Sequence, residues 1–145
     1  MLWDDSHQAG FTTGAPWIKI DERYPAINAR SQAEDPKSIY HHYRELIELR
    51  KNLAVLTDGE YSRLDDGHPQ VYAYTRKNME QTLVVISNFS RDEVQFEFPS
   101  RFRATLLAAR SKKLLVGNTE ETPEIAVSVK LPPYGSYMWI INNVN

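Results

Sequence analysis

The chain has no cysteine among its 145 residues. That removes a disulfide framework, a thiol nucleophile and any cysteine-ligated metal. No apolar run approaches the ~18 residues of a membrane-spanning helix, and Asp4-Asp5 stand where a secretory leader would carry positive charge. The expectation is a cytoplasmic protein, and Asn88-Phe89-Ser90, a match to the glycosylation acceptor pattern, is read as coincidence. An excess of one charge is lacking too. Seventeen Lys and Arg against 19 Asp and Glu leave a formal net charge of −2, with both signs interspersed, so neither nucleic acid nor an anionic membrane is an expected partner. The longest basic cluster, Arg110-Ser111-Lys112-Lys113, reads as a solvated turn. Glycine-rich phosphate loops and nucleophile-elbow serines are absent.

What is present suits one globular domain. Apolar residues make up 41% and charged residues 25%, and a chain of this length buries roughly 70% of its unfolded surface. The first stretch is odd. Leu2, Trp3, Phe11, Trp17, Ile18, Ile20, Tyr24 and Ile27 follow neither a helical nor a strand period. An irregular segment of roughly 30 residues inside a domain points to a functional loop, disorder or a missing context, and such aromatic content argues against disorder. The segment reads as a loop built to pack on other protein. Regular structure is expected from Asp35, with Asp35 as helix N-cap, Pro36 in the first turn, and Ile39, Tyr43, Leu46, Ile47 and Arg50 at helical spacing up to Asn52.

Beyond Asp58-Gly59 the period changes to two. Strands are expected at Glu60 to Leu64, Val71 to Arg76, Leu83 to Ile86, Glu93 to Phe98, Ala104 to Ala108, Ile125 to Leu131 and Tyr137 to Ile141. Tyr72 and Tyr74 share one face of the second, opposite Val71 and Ala73. The third reads as buried on both sides. Asp65 to Pro69 and Pro132 to Gly135 are turns. The fold class is mainly β: an antiparallel β-sandwich of Greek-key type, preceded by a long irregular loop and one α-helix of a different architecture.

Candidate sites are few. Asp4-Asp5 and Asp65-Asp66 are adjacent acid pairs, whereas glycosidase carboxylates flank a bond at roughly 5–10 Å. Neighbours in an extended chain point apart, so neither pair alone makes a dyad. Asp65-Asp66 reads as a hairpin turn, and Asp4-Asp5 as loop capping or ligand contact. His41 and His42 are sequential, which is wrong for a metal held at i, i+4, and His7 and His68 stand alone in loops. Trp139 reads as core, while Trp3 and Trp17 divide between packing and rim contact. No catalytic set, metal site or cofactor is expected from the residues themselves.

Met1-Leu2-Trp3-Asp4-Asp5-Ser6, Ala9-Gly10-Phe11-Thr12-Thr13-Gly14 and Pro16-Trp17-Ile18 closely resemble a stretch of the α-amylase superfamily of glycoside hydrolases, in the branch of oligo-1,6-glucosidases, α-glucosidases and trehalose-6-phosphate hydrolases. Tyr24, Ile27-Asn28 and Tyr40 to Lys51 continue the likeness in order, and Leu83 to Ser90 is similar to the family's C-terminal sheet. Leu2 stands where the family commonly has Gln, and Pro133-Tyr134-Gly135 replaces a more usual Arg-Pro-Tyr-Glu.

The resemblance implies that residues 1–51 are the end of a catalytic (β/α)8 barrel, the loop after its eighth strand plus its last helix, and that residues 52–145 are the C-terminal β-domain. The family's nucleophile Asp, acid/base Glu and supporting Asp come from earlier barrel strands, so none falls on this sequence. Trp3, Asp4 and Asp5 become candidates for the rim of the parent's substrate site. The implied parent is a retaining α-glucosidase acting on short, α-1,6-linked glucosides of the isomaltose type. Its partners are a small oligosaccharide and the parent barrel domain, and the fragment itself is structural and inactive. Alternatives are a trehalose-6-phosphate hydrolase fragment and a stand-alone carbohydrate-binding β-sandwich. The apolar stripe of Ile39, Tyr43, Leu46 and Ile47 would favour self-association in the absence of a barrel.

Overall fold

Asn28 followed three residues later by Ser31 is a helix-start signal, and the computed structural model uses it. The Asn28 side chain accepts from the Ser31 N–H at 2.9 Å, and the Ser31 hydroxyl accepts from the Asn28 N–H at 3.2 Å. Helix α1 runs Ala29–Glu34 from this cap, so α-helix begins six residues before the expected Asp35. Described here are residues 1–143; the last two residues of the expected β-domain lie outside them. The chain divides into two units, Met1–Asn52 and Leu53–Asn145.

In the first unit, helix α2 spans Ile39–Asn52, and its cap is Ser38 rather than Asp35. The Ser38 hydroxyl accepts from the His41 N–H at 3.3 Å and the Ser38 carbonyl from the His42 N–H at 3.1 Å. Asp35 instead accepts from the Lys37 N–H at 2.9 Å, closing a turn over Pro36. Arg50 and Lys51 lie in the last turn, where they complement the helix dipole. No residue of α2 is buried. Across the whole unit, Ala9 is the one buried apolar side chain among the described residues. Ile39, Tyr43 and Ile47 are exposed and Leu46 half-buried. A helix that shows its apolar stripe to water draws little stability from packing, which is where most helical stability in proteins comes from.

The second unit opens with the single turn α3, Val55–Asp58, and then β1 Glu60–Arg63, β2 Val71–Lys77, β3 Gln81–Asn88, β4 Val94–Glu97, α4 Ser100–Ala108, β5 Ser111–Gly117, β6 Ser128–Leu131 and β7 Ser136–Asn142. One sheet has the order β1-β2-β3-β7-β5, and β4 pairs with β6 in a second. Every pairing is antiparallel. Registers place Ala73 opposite Ile86 and Ile86 opposite Tyr137, and beside them Val84 opposite Trp139. Those side chains meet Val94, Phe96, Val129 and Leu131 of the second sheet in one buried cluster. Leu83 points to the other face and is fully buried outside that cluster, on a strand that packs with α3. The apolar run of β3 is therefore covered on both sides.

Two segments differ from the sequence expectation. Residues 104–108 are helix, not strand. Pro99 takes an extended conformation ahead of the first turn, and Phe102 and Leu106, four residues apart, are the buried positions of α4. Ala104 and Ala108, inward in a strand, are exposed here. The basic cluster expected as a turn is the start of β5, an outer strand of the sheet. Its two exposed lysines suit an edge, because charged side chains there discourage pairing with another chain. Gly117 ends β5 where a Cβ would stand 2.8 Å from the Tyr137 ring, so only glycine lets the strand approach β7 that closely. Val127, expected inward with its neighbours, is exposed because β6 begins only at Ser128.

Candidate functional site

Three consecutive residues of the opening loop, Gln8, Ala9 and Gly10, take left-handed backbone conformations with φ of 55°, 57° and 63°. Outside glycine such conformations cost about 1–2 kcal/mol each. They persist only where surroundings over-determine them, often beside functional sites. The turn is pinned from within. The Ala9 N–H donates to the Ser6 carbonyl at 2.9 Å, and the Ala9 carbonyl accepts from the Trp3 and Asp4 N–H groups at 2.9 and 3.4 Å. A Cβ on Gly10 would stand 2.8 Å from Asp4 Oδ1, so the carboxylate occupies the space that glycine leaves.

Asp4 is the hub of this loop. Its Oδ1 accepts from the Ser6 N–H at 2.9 Å and the Ser6 hydroxyl at 2.5 Å. Its Oδ2 accepts from Arg30 Nη2 at 2.9 Å, while Arg30 Nη1 donates to Asp5 Oδ1 at 3.2 Å. One guanidinium therefore draws together two carboxylates that an extended chain would point apart. The backbone repeats the link: the Ala29 and Arg30 N–H groups donate to the Leu2 and Trp3 carbonyls at 2.8 and 3.0 Å. Residues 2–5 are thus stitched to the start of α1. The Ser6 hydrogen bonds, with Arg30 adding to them, hold the Asp4 carboxyl below its ordinary range. Ionised at neutral pH, it acts as an acceptor and not as a proton donor. Trp3 lies beside the pair and is half exposed, and Trp17 is 94% exposed.

Asp65, Asp66, His41, His68 and Trp139 have structural partners. Asp65 is buried and accepts from Arg63 Nε and Nη2 at 3.0 Å each. Asp66, in left-handed conformation, forms an exposed fork with Arg101. Both belong to the hairpin turn between β1 and β2. His41 Nε2 is 2.9 Å from the Ala33 carbonyl. His68 Nδ1 accepts from the Gln70 and Val71 N–H groups at 3.2 and 3.1 Å. Trp139 is core, its Nε1 donating to the Pro123 carbonyl at 3.2 Å. Among the described residues no three His, Asp or Glu side chains gather as a metal site would require. Arg30 escaped the sequence reading: its partners lie 25 and 26 residues away, and only the fold of the loop brings them together.

The fold is of one class: an all-antiparallel β-sandwich that follows in the chain a loop-and-helix unit whose one buried apolar side chain is Ala9. Residues 1–59 match the family described as Alpha amylase, catalytic domain, and residues 61–138 match Maltogenic Amylase, C-terminal domain. The chain belongs to the α-amylase superfamily of glycoside hydrolases.

Among its relatives, the oligo-1,6-glucosidase of Heyndrickxia coagulans is 39% identical over 141 residues, covering 97% of this chain and 23% of that protein. The trehalose-6-phosphate hydrolase of Bacillus subtilis (strain 168) is 33% identical over 139 residues, covering 96% of this chain and 24% of that protein. In three dimensions the crystal structure of Bacillus licheniformis trehalose-6-phosphate hydrolase aligns with a TM-score of 0.89 at 33% identity, over 98% of this chain and 25% of that one. The chain spans about a quarter of the length of the curated relatives it matches. No helix among the described residues is long and apolar enough to cross a membrane.

Proposed function

We propose that this chain is the C-terminal part of a retaining α-glucosidase that hydrolyses short α-glucosides, with α-1,6-linked disaccharides of the isomaltose type as its substrates. In such an enzyme one carboxylate attacks the anomeric carbon while a second carboxyl protonates the leaving oxygen, through an oxocarbenium-like transition state. None of the residues 1–145 takes either role. Residues 1–51 contribute the loop after the eighth barrel strand and the last barrel helix, and residues 52–145 the C-terminal β-domain. The fragment is structural and inactive by itself.

One observation carries this reading. A 52-residue unit that matches an amylase catalytic-domain family buries a single apolar side chain, Ala9, while Trp3, Phe11, Trp17, Ile18, Ile39, Tyr43 and Ile47 are exposed. Surfaces of that kind are interaction surfaces, and a barrel wall is the occupant the match supplies. The Asp4–Arg30–Asp5 cluster with Trp3 then forms part of the rim of the substrate site. It presents ionised carboxylates and an indole to sugar hydroxyls and ring faces.

The linkage assignment rests on the oligo-1,6-glucosidases among the relatives, two of which are 39% and 36% identical to this chain. A second reading, a trehalose-6-phosphate hydrolase, is favoured by the solved structures that align at TM-scores of 0.88 and 0.89. The test is to read the transcript upstream of the Met1 codon, then assay the encoded protein on isomaltose and trehalose-6-phosphate. An open frame carrying barrel strands and three carboxylates, with glucose released from isomaltose, supports the first reading. Preference for the phosphorylated disaccharide supports the second. A start at Met1 with no upstream frame overturns both.

A further inference from the structure

The core-facing side of β1, β2 and β3 turns polar at one end, and the polar end is open. Glu60 lies opposite Lys77, and Lys77 opposite Thr82, in one row across three strands; Ser62 lies opposite Thr75 in the next. Side chains two apart on a strand share a face, so these rows continue the face that carries Val71, Ala73 and Val84 into the core. Arg101, Phe102 and Thr105 of α4 form the facing wall, and a cleft of about 290 Å3 separates the two sides. Leu64 and Phe102 give it an apolar end.

Some lining groups are committed. The Thr82 hydroxyl donates to Asn143 Oδ1 at 2.8 Å, and Arg101 is held by Asp66 and by the Arg63 carbonyl. Others are not. Among the described residues, the side chains of Glu60, Lys77, Ser62 and Thr105 make no hydrogen bond or ion pair with one another or with the rest of the fold. A carboxylate and an ammonium that face one cleft from directly opposite strand positions, yet leave each other unpaired, present both an acceptor and a donor to whatever enters.

We propose that this cleft binds one pyranose ring. Sugar hydroxyls both donate and accept, so adjacent ones satisfy Glu60 and Lys77 together, with Ser62 and Thr105 taking the next pair. Phe102 and Leu64, 7% and 3% exposed, only close the floor of the cleft beneath the ring. The volume sits at the small end of ligand clefts, which span ~300–1,000 Å3, and selects a single ring over a long chain. A free amino acid would match the two charges but leave both hydroxyls unanswered. That the ring is a glucosyl unit rests on the α-glucosidase reading; that it is a sugar does not.

The test is titration of the full 145-residue chain with D-glucose, D-galactose, isomaltose and glycine. Binding is followed by saturation transfer to the ligand, which tolerates self-associated protein, and by amide shifts where spectra allow. Millimolar glucose binding that shifts residues 60–64, 75–82 and 101–105 is expected, weakened at least tenfold by Lys77→Met and largely restored by Lys77→Arg. Galactose binding at these residues without glucose binding supports the cleft and removes the glucosyl assignment, and with it weakens the α-glucosidase reading. The proposal is overturned by no transfer to any sugar up to about 100 mM, by shifts confined to residues 1–30, by glycine binding more tightly than sugar, or by Lys77→Met leaving affinity unchanged. In that case the inward charges of β1 serve only to protect a sheet edge.

Discussion

Asp65 is the residue whose chemistry is most tightly tied to the stability of the β-sandwich. Its side chain is buried and takes both hydrogen bonds of the Arg63 fork, with the backbone N–H groups of Gly67 in the turn and Ala73 in β2 adding to them. These bonds hold its carboxyl below the unfolded value of about 3.9. A depressed folded value means that the stabilisation is fully present above about pH 4 and is lost as pH falls through the folded value. Urea midpoints followed by near-ultraviolet circular dichroism should therefore be level from pH 7 to about 5 and fall on further acidification. Asp65→Asn should lower the midpoint at pH 7 and flatten the acid limb. An unchanged acid limb in the variant would remove Asp65 from the account. Asp4 is also held low, but through an exposed loop cluster, so its titration should leave the sandwich midpoint unmoved.

At the scale of elements, α4 separates two periods that the sequence alone left ambiguous. A strand over residues 104–108 turns Ala104 and Ala108 inward with Leu106. The helix over Ser100–Ala108 buries Phe102 and Leu106 and exposes Ala104. Ala104→Glu should change stability by no more than about 0.5 kcal/mol, the range of ordinary surface changes. Leu106→Ala should cost about 2–5 kcal/mol, as for other fully buried leucines. A collapse of the fold in Ala104→Glu would favour the strand.

The segments β2 and β4 were legible because their alternation coincides with burial, as in the Val94, Phe96 and Phe98 series, and β3 because its apolar run is buried on both faces. The run Ala104-Thr105-Leu106-Leu107-Ala108 carries too little contrast for either period, and only its packing partners decide. β5 was missed for a related reason. An edge strand that begins Ser-Lys-Lys is polar because of its place in the sheet, and sheet order is not written locally. In the loop, Asp4 and Asp5 were legible as adjacent acids in the sequence. Arg30, which joins them, was not, because a contact across 25 residues leaves no periodic trace.

At the scale of the whole molecule, two units of nearly opposite character share one chain. Leu53–Asn145 has a continuous buried cluster drawn from two sheets and a helix, whereas Met1–Asn52 has hydrogen-bonded turns, a capped helix and an exposed apolar helix face. Such a face seeks cover. We expect the isolated chain to self-associate through Ile39, Tyr43, Leu46 and Ile47, with a light-scattering mass that rises with concentration and falls back towards monomer in the double variant Tyr43→Lys, Ile47→Glu. A clean monomer at every concentration would show that the stripe is not adhesive. The same exposed face is what a barrel would bury. Joined to a barrel as proposed, the first unit should therefore gain more in midpoint than the second.

In the proposed reading this chain completes an α-glucosidase whose catalytic groups lie outside residues 1–145. The most direct test of that reading is glucose release from isomaltose. The purified chain is compared with a chimera in which it replaces the matching C-terminal quarter of the Heyndrickxia coagulans oligo-1,6-glucosidase. No turnover above buffer is expected for the chain, and clear turnover for the chimera. Hydrolysis by the chain alone, or a folded chimera that releases no glucose, would contradict that reading.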